Sequence, residues 1–166
     1  VEATERGVVA YGITRAAEML SERYHLVTTN VPYLGREDFD SVLLNFADGH
    51  EVASNELANL FLVRCAEMAL GEGGAALVSP QAWTYQPLYS NFREKIIGRY
   101  GWRLVAKLGA GAFDRMSGEV VKPSLGFYSR DNSLSEFFGI DVGERKGAKR
   151  KAQGLKSKEV YMTDRR

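Results

Sequence analysis

Apolar and polar positions alternate along this chain in stretches of two periods. Residues 24–29, Tyr-His-Leu-Val-Thr-Thr, form a short run rich in β-branched residues and predict a buried β-strand. Before it, residues 4–22 predict a helix with Val8, Val9, Ala16, Ala17 and Leu20 on or near one face, weakened by Gly7 and Gly12. After it, residues 34–53 read as a long connection with a short helix around Asp38–Phe46. Ser54 is the expected cap of the next helix, which carries Leu57, Leu60, Phe61, Cys65 and Met68 at helical spacing and ends at Gly71. Gly73-Gly74 then admits a second buried strand, Ala75–Ser79. A helix from about Leu88 to Arg99, a strand from Trp102 to Leu108 and a strand within Val120–Ser129, interrupted by Pro123, complete the pattern. The alternation of strands and helices predicts an α/β domain with a mainly parallel sheet.

The chemistry begins where the first strand stops. Asn30-Val31-Pro32-Tyr33 follows it directly, at the carboxyl end of the strand, where open α/β sheets place their ligands. Pro32 lacks an N–H and drives Val31 into extended geometry. The Val31 carbonyl therefore escapes a local helical bond. Together with the Asn30 side-chain oxygen it offers two acceptors beside the flat ring of Tyr33, a set that suits a planar group bearing an NH2. Asn30 is expected on a central parallel strand, facing an open cleft. Taken alone, the quartet fits equally well a strand-ending Asn-x-Pro turn with a surface Tyr.

The quartet resembles the catalytic motif of amino-methylating DNA methyltransferases. Further segments follow in the order of that family: Gly73-Gly74-Ala75-Ala76-Leu77-Val78-Ser79-Pro80-Gln81-Ala82-Trp83, Phe92-Arg93-Glu94-Lys95, Leu108-Gly109-Ala110-Gly111-Ala112-Phe113 and Ser117-Gly118-Glu119-Val120-Val121. The ordered set, over roughly residues 24–130, is similar to the adenine-specific methyltransferases of bacterial restriction and phage-exclusion systems, in particular the BREX-type PglX-like group. Val31 stands where the commonest form of the motif has Pro; the role there belongs to the backbone carbonyl, which Val keeps.

The resemblance implies a Rossmann-like S-adenosylmethionine-dependent methyltransferase fold, here partial. It has a mainly parallel sheet, an antiparallel last strand and helices on both faces. The implied reaction is methylation of the exocyclic amino group of adenine in DNA. Asn30, Val31, Pro32 and Tyr33 are the implied catalytic set, with Asn30 and Pro32 also touching the cofactor S-adenosylmethionine. Tyr33, Phe113, Ser79 and Gln81 are the implied substrate contacts, and no metal is required. Double-stranded DNA is the implied partner, with other subunits of a defence system.

Two further readings stay open: a protein glutamine methyltransferase, whose amide also offers an NH2, and a non-catalytic binding or scaffold fragment. The Gly109–Phe113 and Ser117–Val121 segments favour DNA. Phe113 serves either to hold an extruded base or as one buried side chain of a loop. Ser79-Pro80-Gln81 serves either as cleft lining or as a strand-ending turn.

Composition narrows the class without deciding it. At 166 residues, 45% apolar and 26% charged, the chain suits a globular protein with a real core. A single cysteine, Cys65, excludes an intrachain disulfide framework and points to a cytoplasmic setting. No apolar stretch reaches membrane-spanning length, so no membrane partner is expected. No strand followed by Gly-x-Gly precedes residue 24, where the family carries its cofactor turn. The chain is therefore expected to be a piece of a longer protein, inactive in isolation: residues 1–133 the C-terminal part of the catalytic domain, residues 134–166 a basic linker or helical tail leading toward an absent target-recognition domain. Within 141–166, nine Lys/Arg stand against four acids, although net charge overall is only +1. Such a tail can follow phosphates, or simply be solvated.

Overall fold

The structure, a computed structural model, describes residues 2–50, 53–113, 122–133, 136–157 and 161–164. Its frame is a six-stranded sheet in the order β1-β2-β4-β3-β5-β6. The strands are β1 (Tyr24–Asn30), β2 (Ala69–Pro80), β3 (Gly101–Lys107), β4 (Pro123–Ser129), β5 (Glu136–Asp141) and β6 (Tyr161–Asp164). β1 runs parallel to β2 and β3 parallel to β5, whereas β4 lies antiparallel to both β2 and β3, and β6 antiparallel to β5. The expected antiparallel pair at the end of the domain is thus β3 with β4. Pro123 opens β4 rather than interrupting it, a position where its missing N–H is harmless.

Among the described residues, five α-helices accompany the sheet: α1 (Glu2–Ser21), α2 (Ser41–Asp48), α3 (Leu57–Met68), α4 (Ser90–Arg99) and α5 (Ala148–Lys156). α2 starts where Asp40 accepts the Leu43 amide at 2.8 Å. α3 follows Glu56, not Ser54, and ends at Met68, so that Gly71 belongs to β2. β2 is consequently longer than its apolar pattern suggested. Its register on β1 slips between Tyr24 and Leu26, letting Gly73 pass the backbone so closely that a Cβ there would meet the His25 carbonyl at 2.8 Å. Only glycine fits that approach.

Two placements depart from the sequence pattern. β1 is an edge strand of the described sheet, not a central one, and Leu26 on it is 56% exposed. α1 exposes Val8, Val9, Tyr11, Ile13, Met19 and Leu20. It is tied down near its end, where the Tyr24 hydroxyl donates to the Met19 carbonyl at 2.6 Å and Arg64 to the Leu20 carbonyl at 2.7 Å. The apolar residues of α1 are exposed because none of the described elements packs over them.

The core lies between α3, α4 and the middle of the sheet. Trp83 is fully buried and meets Phe92, Trp102 and Tyr128 at ring distances of 5.6, 5.4 and 6.2 Å. Cys65 packs in the same core, where burial pushes its thiol up. Of residues 134–166, expected as a basic linker or helical tail, the described ones form β5, α5 and β6, and both strands join the sheet. Within α5, Lys151 is buried and donates to the carbonyls of Leu108, Val142 and Gly143 at 2.6, 3.1 and 2.8 Å. That lysine pins the turn after β3 to the turn after β5, and does not face a phosphate. Among the described residues no helix is long and apolar enough to cross a membrane.

Candidate active site

β1 delivers Asn30 to its carboxyl end, and the ladder continues one residue further. The Val31 amide donates to the Val78 carbonyl at 3.0 Å, and the Val31 side chain is buried. Asn30 and Pro32 are exposed. Among the described residues, nothing donates to the Val31 carbonyl and nothing bonds the Asn30 amide. The strand end therefore presents two unoccupied acceptors, held in place by a β-ladder rather than by a mobile loop. That is the local arrangement that the Pro32 restriction predicts.

Tyr33 turns inward from this point. It is half-buried against the core and lines a cleft of about 790 Å³ with Gly35, Glu37, Glu56, Pro80, Tyr85, Tyr89 and Lys122 among its neighbours. Asn30 and Pro32 are not part of that wall. The Tyr33 hydroxyl is buried without a hydrogen-bond partner, and its pKa is pushed up to about 12, first by burial and then by the Glu56 charge. Glu56 is itself 9% exposed and accepts the Tyr89 hydroxyl at 3.2 Å. Burial raises its carboxyl above the ordinary range, the Tyr89 bond pulls it back, and Glu37 raises it further. Lys122 is the only cation lining this cleft among the described residues.

The remaining substrate candidates are not gathered here. Ser79 is 1% exposed; its hydroxyl accepts the Trp83 indole N–H at 3.1 Å and lies 3.4 Å from the Ser124 hydroxyl. Ser79 thus faces the core, because alternation along β2 sends it to the side opposite Pro80. Gln81 donates its amide to the Lys122 carbonyl at 2.8 Å, tying β2 to the start of β4, and its side-chain oxygen is buried without a partner. Phe113 is half-buried and outside the cleft wall. The Ser117–Val121 segment lies outside the described residues. Trp83 belongs to the core, whereas Tyr85, its companion in sequence, lines the cleft with 49% exposure. Glu56, Tyr89 and Lys122 carry no motif signal. Only the cue of an acid at a helix N-terminus marked Glu56, and the expected cap at Ser54 obscured it.

The glycine turn after β3 does not provide a cofactor cradle. Gly109 and Gly111 have φ of 65° and 69°, but a Cβ at Gly109 would meet Gly143 Cα at 2.8 Å. The turn is packed against the turn after β5 and opens no helix among the described residues. α1 alone precedes β1 there, so no strand-turn-helix cradle for an adenosyl group is formed. Asn30 and Pro32 stand open at the strand end.

No family model matches the chain. Two curated proteins do: the adenine-specific methyltransferase PglX of Lacticaseibacillus casei (strain Zhang), 27% identical over 130 residues, and the adenine-specific methyltransferase BrxX of Escherichia coli O9:H4 (strain HS), 29% identical over 118 residues. In sequence the chain is thus similar to two adenine-specific methyltransferases. The matches cover 76% and 70% of the chain, which spans about a tenth of the length of each relative, 10% in both cases. The fold recurs in the DrdV–DNA complex (TM-score 0.70, 13% identity, 93% of this chain and 18% of that one). It recurs also in the methyltransferase subunit of a type I restriction-modification system from Streptococcus thermophilus (TM-score 0.60, 13% identity, 87% and 35%). The fold is therefore the Rossmann-like α/β methyltransferase fold, with the sheet of mixed direction.

Proposed function

We propose that this chain forms the target-base side of an S-adenosylmethionine-dependent DNA methyltransferase specific for adenine. It would serve a restriction-modification or phage-exclusion system, with double-stranded DNA and other subunits of that system as partners. The observation that carries this reading is the pair of unoccupied acceptors, the Asn30 amide oxygen and the Val31 carbonyl, at the end of a strand beside Tyr33. The relationship to PglX and BrxX supports it.

The chemistry follows from the amino group. The lone pair of an exocyclic adenine nitrogen is delocalised into the ring and is a poor nucleophile. Accepting its two protons at Asn30 and at the Val31 carbonyl favours a tetrahedral nitrogen with a usable lone pair. Acceptors fixed in advance act most strongly where charge develops in the transition state. The base must leave the duplex, at a cost of a few kcal/mol. Stacking on Tyr33 offsets about 1–3 kcal/mol of this. Lys122, on the cleft wall, has the charge to meet a phosphate. S-adenosylmethionine is the methyl donor of this reading. Phe113, Gln81 and the basic groups of 145–166 other than the buried Lys151 remain candidate DNA contacts.

The test is methyl transfer by the natural polypeptide that contains these residues, with duplex DNA and protein offered as acceptors. Label incorporated at adenine N6 supports the reading; label on protein glutamine, or none on either acceptor with cofactor bound, refutes it.

A further inference from the structure

A second cavity, of about 410 Å³, lies where the end of α2, the middle of α3 and α4 meet. It shares no lining residue with the cleft of Tyr33. Its size falls in the range of small-molecule pockets, roughly 300–1,000 Å³. The spacing along α4 builds it. Phe92 and Ile96, one helical turn apart, point into the core and are 1% and 4% exposed. With Val63 of α3 and the buried Ala53 they give the cavity an apolar floor. Lys95 and Arg99, also one turn apart, occupy the neighbouring stripe of α4 and stand exposed at the rim.

The rim carries more positive charge than the fold uses. Like charges one turn apart on a helix repel. Arg99 meets Glu67 at 3.3 Å and lies over the Tyr100 ring. Lys95 makes no ion pair or hydrogen bond among the described residues. His50 lines the cavity from the end of α2. Its Nδ1 lies 3.0 Å from the Phe46 carbonyl, and its ring stacks on Phe46 at 4.6 Å. A carbonyl only accepts, so Nδ1 carries the hydrogen and Nε2 is the nitrogen left for a ligand. The imidazole is thus held before anything binds, which lowers the cost of binding. Asp48 is the one acid on the wall among the described residues, and Arg36, outside the wall, engages its carboxylate at 2.5 Å.

We propose that this cavity binds a small organic phosphate, with its apolar body against Phe92, Ile96 and Val63 and its phosphate at Lys95, Arg99 and His50. A phosphate monoester carries nearly two negative charges at neutral pH, which matches a rim of two fixed cations better than a carboxylate does. The Arg99 fork offers paired N–H donors to its oxygens, and Lys95 adds a point charge. The site stands independently of the methyltransferase reading.

The experiment is titration calorimetry on the natural polypeptide that contains these residues, with phenyl phosphate as the probe. Saturable binding with a Kd below about 1 mM is expected. Inorganic phosphate lacks the apolar body and should bind at least about tenfold more weakly, the scale of burying one apolar side chain. Benzoate should also bind more weakly, having one charge. Lys95→Ala should weaken phenyl phosphate binding about tenfold, the scale of one hydrogen bond to a charged group. Arg15→Ala, which removes an exposed cation from α1, should change it less than about twofold.

Absence of saturable binding overturns the proposal, and so does equal binding by Lys95→Ala and the parent. Inorganic phosphate or benzoate binding as tightly as phenyl phosphate overturns the assignment to an organic phosphate. Displacement of phenyl phosphate by duplex DNA makes the rim a contact for the DNA backbone and overturns the small-molecule site. Lys95 is exposed, so its replacement should leave the melting temperature unchanged. If it does not, Lys95→Gln carries the same comparison.

Discussion

The Val31 amide donates to the Val78 carbonyl at 3.0 Å, so the β1–β2 ladder extends past the last residue of β1 and fixes the point at which Asn30 leaves the sheet. Asn30 is exposed and pairs with Val78 in register. Its replacement by Ala should leave the fold unchanged within about 0.5 kcal/mol, as for most exposed positions. In the natural polypeptide, turnover should fall by at least about a hundredfold, the effect of removing one preorganised polar group from a developing charge. DNA affinity should change less than about twofold, because it comes mainly from phosphate contacts. Single-turnover kinetics and equilibrium DNA binding check the two halves separately.

Tyr33 should respond differently to its two natural tests. Tyr33→Ala removes the stacking ring and should weaken the complex containing the extruded base as well as slow turnover. Tyr33→Phe keeps the ring and removes a hydroxyl that is buried without a partner. It should therefore slow turnover by about tenfold or less and leave stability equal or slightly raised. 2-Aminopurine fluorescence at the target position, with urea unfolding, measures both.

The isolated 166-residue chain should not bind S-adenosylmethionine with useful affinity. The described residues form no helix-opening glycine turn, and the turn at Gly109 is packed against Gly143. Titration calorimetry should give no saturable heat up to about millimolar cofactor, the weak end of specific binding. Micromolar binding would place the cofactor site within these residues after all.

Ser79→Ala should act on stability and not on chemistry. The Ser79 hydroxyl accepts the buried Trp83 N–H, so its removal leaves that donor unpaired. The expected loss is about 1–3 kcal/mol in urea unfolding. Folded enzyme carrying this change should keep its rate, which separates Ser79 from the substrate contacts.

Glu56 makes stability depend on pH in a definite sense. Its carboxyl is raised above the ordinary value of 4.5, so between that value and the folded value the native state binds more protons than the unfolded one. Its contribution to stability is full below about pH 4.5 and falls as pH rises through the folded value. Glu56→Gln should flatten this part of the profile and be no less stable than the parent at neutral pH. Thermal melting between pH 4 and 8 is the measurement; a steeper profile in Glu56→Gln would contradict the burial of the acid.

Much of this was legible in the residues in order. The strand at 24–29, its Pro-restricted exit and the acceptor pair at Asn30 and Val31 follow from local sterics, which a linear sequence carries in full. The strands β2, β3 and β4, and the helices α2, α3 and α4 between Ser41 and Arg99, follow from periodicity, with boundaries moved where Glu56 and Gly71 took roles that local propensity does not encode. What only the tertiary structure decided depends on partners distant in the chain. Ser79 faces Trp83 and Ser124 rather than the cleft because β2 is flanked by β1 and β4. Lys151 is buried because three carbonyls from two separate turns converge on it. Glu56 meets Tyr89 across 33 residues and Gly35 across 21, a convergence that no spacing in the sequence announces. Local geometry is written in neighbours; the surroundings of a buried polar group are set by whichever elements the sheet order brings beside it.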